Sequence, residues 1–351
     1  MQLSARALHR TLLLRQHLLE RTTAPALDLV GDLLGLQAQD NLPPYLSLAA
    51  RIEGFDPREL STALEERTAV RFFTMRGTVH LLTAADALEL RPWVQPFLDR
   101  VNERSRISGP SHHVPSEVFR AAVEEELGGD PVPFAALKEA LHARFPDAPV
   151  EALGHRARER VPMLQVPPRG RWRRAGGVVY ALADRWLGAP FATPDVPGLV
   201  RRYLLAYGPA TASDMTTWSG VTRLGPVFAA LSGELETHTD DAGKVLYDVP
   251  GAPIADPEMS APPRLLGKYD NVWLSHADRD RVATREKRQR WMGPNGGVGN
   301  ALLVDGEMEG IWSVNDGRVA LDPWRRLSRA ERSAVDEEVA RVEALLVVPA
   351  E

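Results

Sequence analysis

One order of elements runs along the chain three times: short amphipathic helices, then two strands around a turn. In the first pass, leucines and alanines at helical spacing between Arg6, Arg10 and Arg15 predict a helix over Leu3–Leu19, and Pro25 starts a second that runs toward Gln37. Short helices follow over Tyr45–Ile52 and Pro57–Arg67, and then Val70–Met75 and Thr78–Thr83 alternate as strands about the turn pair Arg76-Gly77. The second pass places helices at Ser116–Leu127, Pro133–Arg144 and Val150–Arg160, with strands Leu164–Pro167 and Gly177–Ala181 bracketing an arginine-rich turn. The third has helices near Val196–Ala206, Thr211–Gly220 and Leu224–Leu231, then strands Glu234–His238 and Lys244–Val249. Helices followed by a two-stranded hairpin describe a winged helix. Three such passes without sequence periodicity predict an α+β chain of three tandem winged-helix units rather than a solenoid.

Proline and glycine gather at the joints: Gly109–Pro115, Gly188–Gly198 and the proline-dense Val249–Arg264. The expected units are therefore 1–115, 116–195 and 196–260, followed by a β-rich C-terminal segment, 261–351, packed on the third unit. In that segment Asn300–Val304, Glu307–Ser313 and Arg318–Leu321 read as strands, and Ser328–Leu346 reads as a helix capped by Ser328 with Glu331 three residues on.

Composition narrows the chemistry. The 351 residues contain no cysteine, which excludes disulfides, thiolate zinc sites, iron–sulfur clusters and cysteine nucleophiles. Nine scattered histidines, with His112-His113 in a joint, offer no metal-ligand spacing, so no metal and no cofactor are expected. Of 42 basic residues only Lys138, Lys244, Lys268 and Lys287 are lysines, a bias whose simplest cause is a GC-rich genome and which leaves few amine nucleophiles. A net charge of −5 argues against a wholly basic nucleic-acid binder while leaving local patches open. No apolar run reaches the ~20 residues of a membrane span, so a cytoplasmic location away from membranes is expected. Gly293–Gly299 is glycine-rich but lacks strand–helix context, and reads as a loop rather than a phosphate cradle.

The segment Leu34-Gly35-Leu36-Gln37-Ala38-Gln39-Asp40-Asn41 sets two glutamines two residues apart where a helix should be ending. On a helix, positions i and i+2 diverge; on an extended backbone they share a side. Asp40-Asn41 and Pro43-Pro44 oppose helix continuation, so Gln37 and Gln39 can present both carboxamides to one cavity, although a polar helix end gives the same pattern.

This run, with Tyr45 shortly after it, resembles the Q-x-Q motif of the AlkZ-type DNA glycosylases, a winged-helix family that also has a YcaQ-type branch. Further segments recur in the family's order: M-R-G-T-V-H-L at Met75–Leu81, Y-G-P-A-T-A-S-D at Tyr207–Asp214, Y-D-N-V-W-L-S-H-A-D-R at Tyr269–Arg279, and L-L-V-D-G-E-M-E-G-I-W at Leu302–Trp312. The resemblance implies three winged helices in a C-shaped arrangement around a DNA channel, and removal of alkylated purines or unhooking of interstrand crosslinks. It carries the catalytic glutamines onto Gln37 and Gln39; an aspartate at the second position would mark the YcaQ-type branch. The implied partner is double-stranded DNA bearing alkylated or crosslinked purines, bound by a monomer.

An amide suffices for such chemistry. Alkylation at N7 leaves the base cationic, so the glycosidic bond needs no acid; a glutamine aligns water and stabilises developing charge without acting as a strong base. Phosphate contacts are expected from Arg171, Arg173 and Arg174 around Trp172 in the second wing, and from the basic loop of Arg285, Lys287, Arg288 and Arg290 ending at Trp291, for which a salt-bridged surface is the plain alternative. Tyr45 and His276 are candidate channel-lining residues, with core roles as the alternative, and His80 reads as a buried histidine. The rival function is a winged-helix transcription regulator in which the glutamines are incidental.

Overall fold

A computed structural model describes residues 1–292 and 298–350; residues 293–297 of the glycine-rich stretch lie outside them. The architecture is mixed helix and antiparallel sheet, as expected. The opening helix, Ala5–Arg15, is capped by the Ser4 side chain on the Ala7 N–H. The second helix, Ala26–Asp32, stops five residues short of Gln37. The chain turns through Leu34 (φ 53°) and Gly35 (φ 94°) into strand β1, Leu36–Gln37. Only glycine fits there, since a Cβ would stand 2.4 Å from Leu82 Cδ2.

The first hairpin is β2 (Ala69–Phe73) and β3 (Val79–Thr83); β4 (Val132–Pro133), β5 (Met163–Gln165) and β6 (Val179–Leu182) follow. These strands form one six-stranded sheet in the order β1-β3-β2-β5-β6-β4. The hairpins β2–β3 and β5–β6 therefore pair edge to edge, Arg71 opposite Gln165 and Phe72 opposite Leu164, which closes two exposed edges at once. The third hairpin, β7 (Glu236–Thr239) and β8 (Val245–Asp248), stands apart as a two-stranded sheet. The C-terminal segment adds β9 (Arg264–Leu266), β10 (Asn300–Val304), β11 (Glu307–Asn315) and β12 (Arg318–Pro323) in a second antiparallel sheet, then the helix Arg329–Leu346 with the foreseen Ser328–Glu331 capping box.

Three expectations change. The helix Ala84–Arg104 has no counterpart in the sequence reading because Pro92 and Pro96 interrupt its pattern; the Leu88 carbonyl, whose helical donor Pro92 removes, instead takes the Ala192 N–H at 3.1 Å. The basic loop is a helix, Arg285–Trp291, capped by Thr284. The C-terminal segment packs near the N-terminal helices as well as on residues 196–260: Leu265, Leu302 and Trp312 share a core with Leu29, Leu36 and Tyr45, while Leu266, Leu303 and Met308 join a core that includes Tyr203 and Tyr207. A separate core gathers Phe119, Leu137, Leu141 and Leu153.

Candidate active site

Strand β1 carries the first motif glutamine directly opposite His80 of β3. Extended backbone continues past it, with the Ala38 N–H donating to the Val79 carbonyl at 2.7 Å. Alternation then puts Leu36 and Ala38 in the apolar core and Gln37 and Gln39 on the other side, the arrangement a helix would have denied them. Gln37 is 6% exposed; Gln39 is exposed, and its Oε1 accepts the Val79 N–H at 3.3 Å.

Beside Gln37 lies a polar cluster built by the first hairpin's turn. Arg76, at φ 55°, donates from Nη2 to Gln37 Oε1 at 2.9 Å and faces His80 Nε2 at 3.1 Å, while Nη1 donates to the Trp218 carbonyl. Burial, with Arg76 as the second cause, holds the His80 imidazole well below its ordinary pKa, so it is neutral. A neutral ring accepts from Arg76 through Nε2 and donates from Nδ1 to the Thr78 carbonyl at 3.2 Å. Desolvation lowers Arg76 itself to about 10, which leaves it charged at neutral pH.

The motif is braced from behind. Arg71, buried on β2, donates from Nη2 to the Ala38 carbonyl at 2.7 Å, between the two glutamines. Asn271 Nδ2 donates to the Gly35 carbonyl at 2.9 Å, and the Tyr207 hydroxyl donates to the Leu33 carbonyl at 2.7 Å. Asp270, next to Asn271, makes a fully buried two-pronged ion pair with Arg51, both contacts at 2.7 Å. The segments Met75–Leu81, Tyr207–Asp214 and Tyr269–Arg279 thus converge on the loop that holds the glutamines. Arg71, Arg76, Trp218 and Asn271 were not singled out as site residues; the recurring segments were the signal for Arg76 and Asn271, and Trp218 gave none.

Two candidate channel residues are core residues instead. Tyr45 is 1% exposed, its ring 4.9 Å from Trp172 and its hydroxyl donating to the Gly170 carbonyl at 2.8 Å. His276 is 3% exposed and fully engaged, Nδ1 with Ser275 Oγ at 2.9 Å and Nε2 with Arg281 Nη1 at 2.8 Å. Trp172, 2% exposed, anchors the turn between β5 and β6 by donating to the Val348 carbonyl.

The basic residues divide. Arg171 pairs with Glu65 at 2.6 Å, Lys287 with Glu307 and Glu309 at 3.2 and 3.1 Å, and Arg288 with Asp280 at 2.6 Å. Arg173, Arg174, Arg285 and Arg290 are exposed; the first donates to the Leu346 carbonyl and the last lies 5.0 Å over the Trp324 ring. A cavity of about 470 Å³ opens between Asn41 and Leu42, just past the glutamines, and Arg171, Arg173 and Arg174 of the turn between β5 and β6.

A family model described as DNA glycosylase AlkZ-like matches residues 30–345. Among curated proteins the chain is similar to an interstrand DNA cross-link repair glycosylase of Streptomyces sahachiroi, with 26% identity over 353 residues, 93% of this chain and 92% of that protein. Among solved structures it is similar to the Streptomyces sahachiroi DNA glycosylase AlkZ, with a TM-score of 0.83 and 24% identity over 99% of this chain and 98% of that one. The fold is shared from end to end.

Proposed function

We propose that this chain, which belongs to the AlkZ-like DNA glycosylase family, hydrolyses the N-glycosidic bond of N7-alkylated purines in double-stranded DNA, bulky adducts and interstrand crosslinks included. Gln37 and Gln39 position the attacking water. The C1′–N9 bond breaks with its electron pair passing to the cationic base, which leaves neutral; the water oxygen bonds to C1′ and its proton goes to solvent. The observation that carries this reading is the pair of carboxamides on one side of an extended segment, held by Arg71, Arg76 and Asn271. An amide has no useful pKa, so it positions water rather than deprotonating it, which suits a leaving group that is already activated.

Membership in an enzyme family favours catalysis over a transcription regulator. The relative's cross-link repair supports the same lesion class here, in repair or in self-protection against an alkylating genotoxin. We read residues 1–115, 116–195 and 196–260 as winged-helix units curved around DNA, acting as a cytoplasmic monomer. Arg173, Arg174, Arg285 and Arg290 are the better placed phosphate contacts, because Arg171, Lys287 and Arg288 are committed to carboxylates.

The test is excision from one panel of duplexes carrying N7-methylguanine, a bulky N7 adduct or a crosslink, with product strands analysed before and after alkali. Base release with strands that break only after alkali is expected, because the nucleophile is water and not an amine. Gln37→Ala and Gln39→Ala should each slow single-turnover excision ~10-fold or more with DNA affinity nearly unchanged. Wild-type rates in both variants, or a protein–DNA adduct trapped by borohydride, count against the mechanism.

A further inference from the structure

Arg76 touches Gln37 Oε1, His80 Nε2 and the Trp218 carbonyl, three neutral acceptors. A guanidinium has donors and no acceptor. The atom it meets on Gln37 must therefore be the carbonyl oxygen, because the flipped carboxamide would set N–H against N–H. The last torsion of Gln37 is fixed by this contact, and the NH2 end is the one turned away from the guanidinium. Polarisation by the cation also makes those N–H groups stronger donors. Gln39 is held differently: among the described residues its exposed carboxamide is tied through Oε1 to the Val79 N–H, a neutral and longer contact that leaves acceptor capacity on the oxygen.

We propose that Arg76 is a positioning residue that fixes Gln37 as a hydrogen-bond donor, leaving Gln39 as the acceptor, so that the two carboxamides grip one water through opposite functions. The proposal rests on the glycosylase reading above. Gln37 Nε2–H binds one lone pair of the water oxygen, and Gln39 Oε1 takes one of its hydrogens. The second lone pair forms the bond to the anomeric carbon, the C1′–N9 pair leaves with the base, and the released proton passes to solvent. The motif then requires amides of unequal duty. A carboxylate tolerated at the second position would be an acceptor replacing an acceptor; at the first position it would delete the donor.

Glutamate substitutions separate the two roles, since a carboxylate keeps the acceptor oxygens and loses the N–H groups. In single-turnover excision of N7-methylguanine, Gln37→Glu should be slower than Gln39→Glu by ~10-fold or more, with DNA affinity measured in parallel. Arg76→Met should slow excision by a similar factor while the DNA Kd stays within about twofold, and Arg76→Lys should recover part of the rate. In the DNA-free protein, the Gln37 side-chain NH2 resonances, identified by their loss in Gln37→Glu, should shift in Arg76→Met. Equal rates in the two glutamate variants, or a faster Gln37→Glu, overturn the donor assignment. Unmoved Gln37 amide resonances in Arg76→Met overturn the positioning role, independently of turnover. A wild-type protein that releases no base overturns the glycosylase reading and the water assignment with it, while the amide resonances still report the Arg76–Gln37 contact.

Discussion

His276 illustrates how burial decides the duty of a residue that sequence leaves ambiguous. Its Nδ1 meets Ser275 Oγ at 2.9 Å, and its Nε2 lies between the Tyr207 carbonyl at 2.9 Å and Arg281 Nη1 at 2.8 Å, so both ring nitrogens are engaged inside the fold. Desolvation first, then Arg281, push its pKa down to about 3. In the unfolded chain the same ring takes a proton near the ordinary 6.5. Between those values the unfolded state binds the extra proton, so stability is fully present above about pH 6.5 and falls as the pH drops toward 3, by up to ~1.4 kcal/mol per pH unit. His80, held neutral by burial and Arg76, steepens the same slope. Denaturant unfolding between pH 7 and 4 should show this decline and a shallower one in His276→Gln; identical slopes would rule out a buried neutral imidazole. At neutral pH neither ring changes charge, so His80 remains an acceptor for Arg76.

Among the elements, the edge pairing of the β2–β3 and β5–β6 hairpins does the most to place the site. Strand β5 lies against β2, and the arginine-rich turn that follows it reaches back under the first unit: Gly170, at φ 90°, gives its carbonyl to Tyr45 and leaves room for Arg71. A Cβ on Gly170 would stand 2.3 Å from Arg71 Cδ. Gly170→Ala should therefore destabilise the fold by ~1–3 kcal/mol through the strained backbone and the crowded arginine. It should also slow excision, because Arg71 holds the Ala38 carbonyl between the glutamines. A thermal melt read beside the single-turnover rate tests both halves; a full loss of stability with an unchanged rate would uncouple Arg71 from the motif. Each strand involved was readable from period-2 alternation, but its partner was not, because edge pairing between distant hairpins leaves no local pattern. The helix Ala84–Arg104 was hidden for a different reason: its prolines oppose helix locally and are tolerated only where a linker N–H satisfies the freed Leu88 carbonyl.

Across the whole molecule, buried arginines tie together segments far apart in sequence. Arg15 clamps Asp248 of the third hairpin at 2.8 and 2.7 Å and Arg51 clamps Asp270, each through both terminal nitrogens, while Arg21 reaches both carboxylate oxygens of Glu338 on the last helix from Nη2, at 2.7 and 2.6 Å. A planar, permanently charged fork makes such two-pronged contacts in a way lysine cannot, so the arginine bias has structural uses beyond genome composition. Arginines committed inward are withdrawn from DNA, which separates the basic residues by duty. Replacing Arg173 and Arg174, or Arg285 and Arg290, by alanine in pairs should weaken DNA binding and reduce the slope of log affinity against log salt by ~1–2. Lys287→Ala and Arg288→Ala should change that slope less, because those cations face Glu307, Glu309 and Asp280. A titration series at several salt concentrations distinguishes the two groups, and equal slopes would reverse the assignment.

Much of the order of helices and strands, the Ser328–Glu331 cap and the extended backbone at Gln37 and Gln39 were legible in the sequence alone, because periodicity and capping act within a few residues; the helix before the glutamines nevertheless ends at Asp32, ahead of the break expected at Asp40-Asn41. So was the resemblance carried by the motif and the segments around it. Burial and partnership were decided only by the tertiary structure. It withdrew Tyr45 and His276 into the core, turned Arg171, Lys287 and Arg288 toward carboxylates, and brought Arg76, Trp218 and Asn271 to the glutamines from 39, 181 and 234 residues away along the chain. Those outcomes depend on which distant surfaces meet. A side chain's charge, exposure and free donors are properties of that meeting, not of its neighbours in sequence.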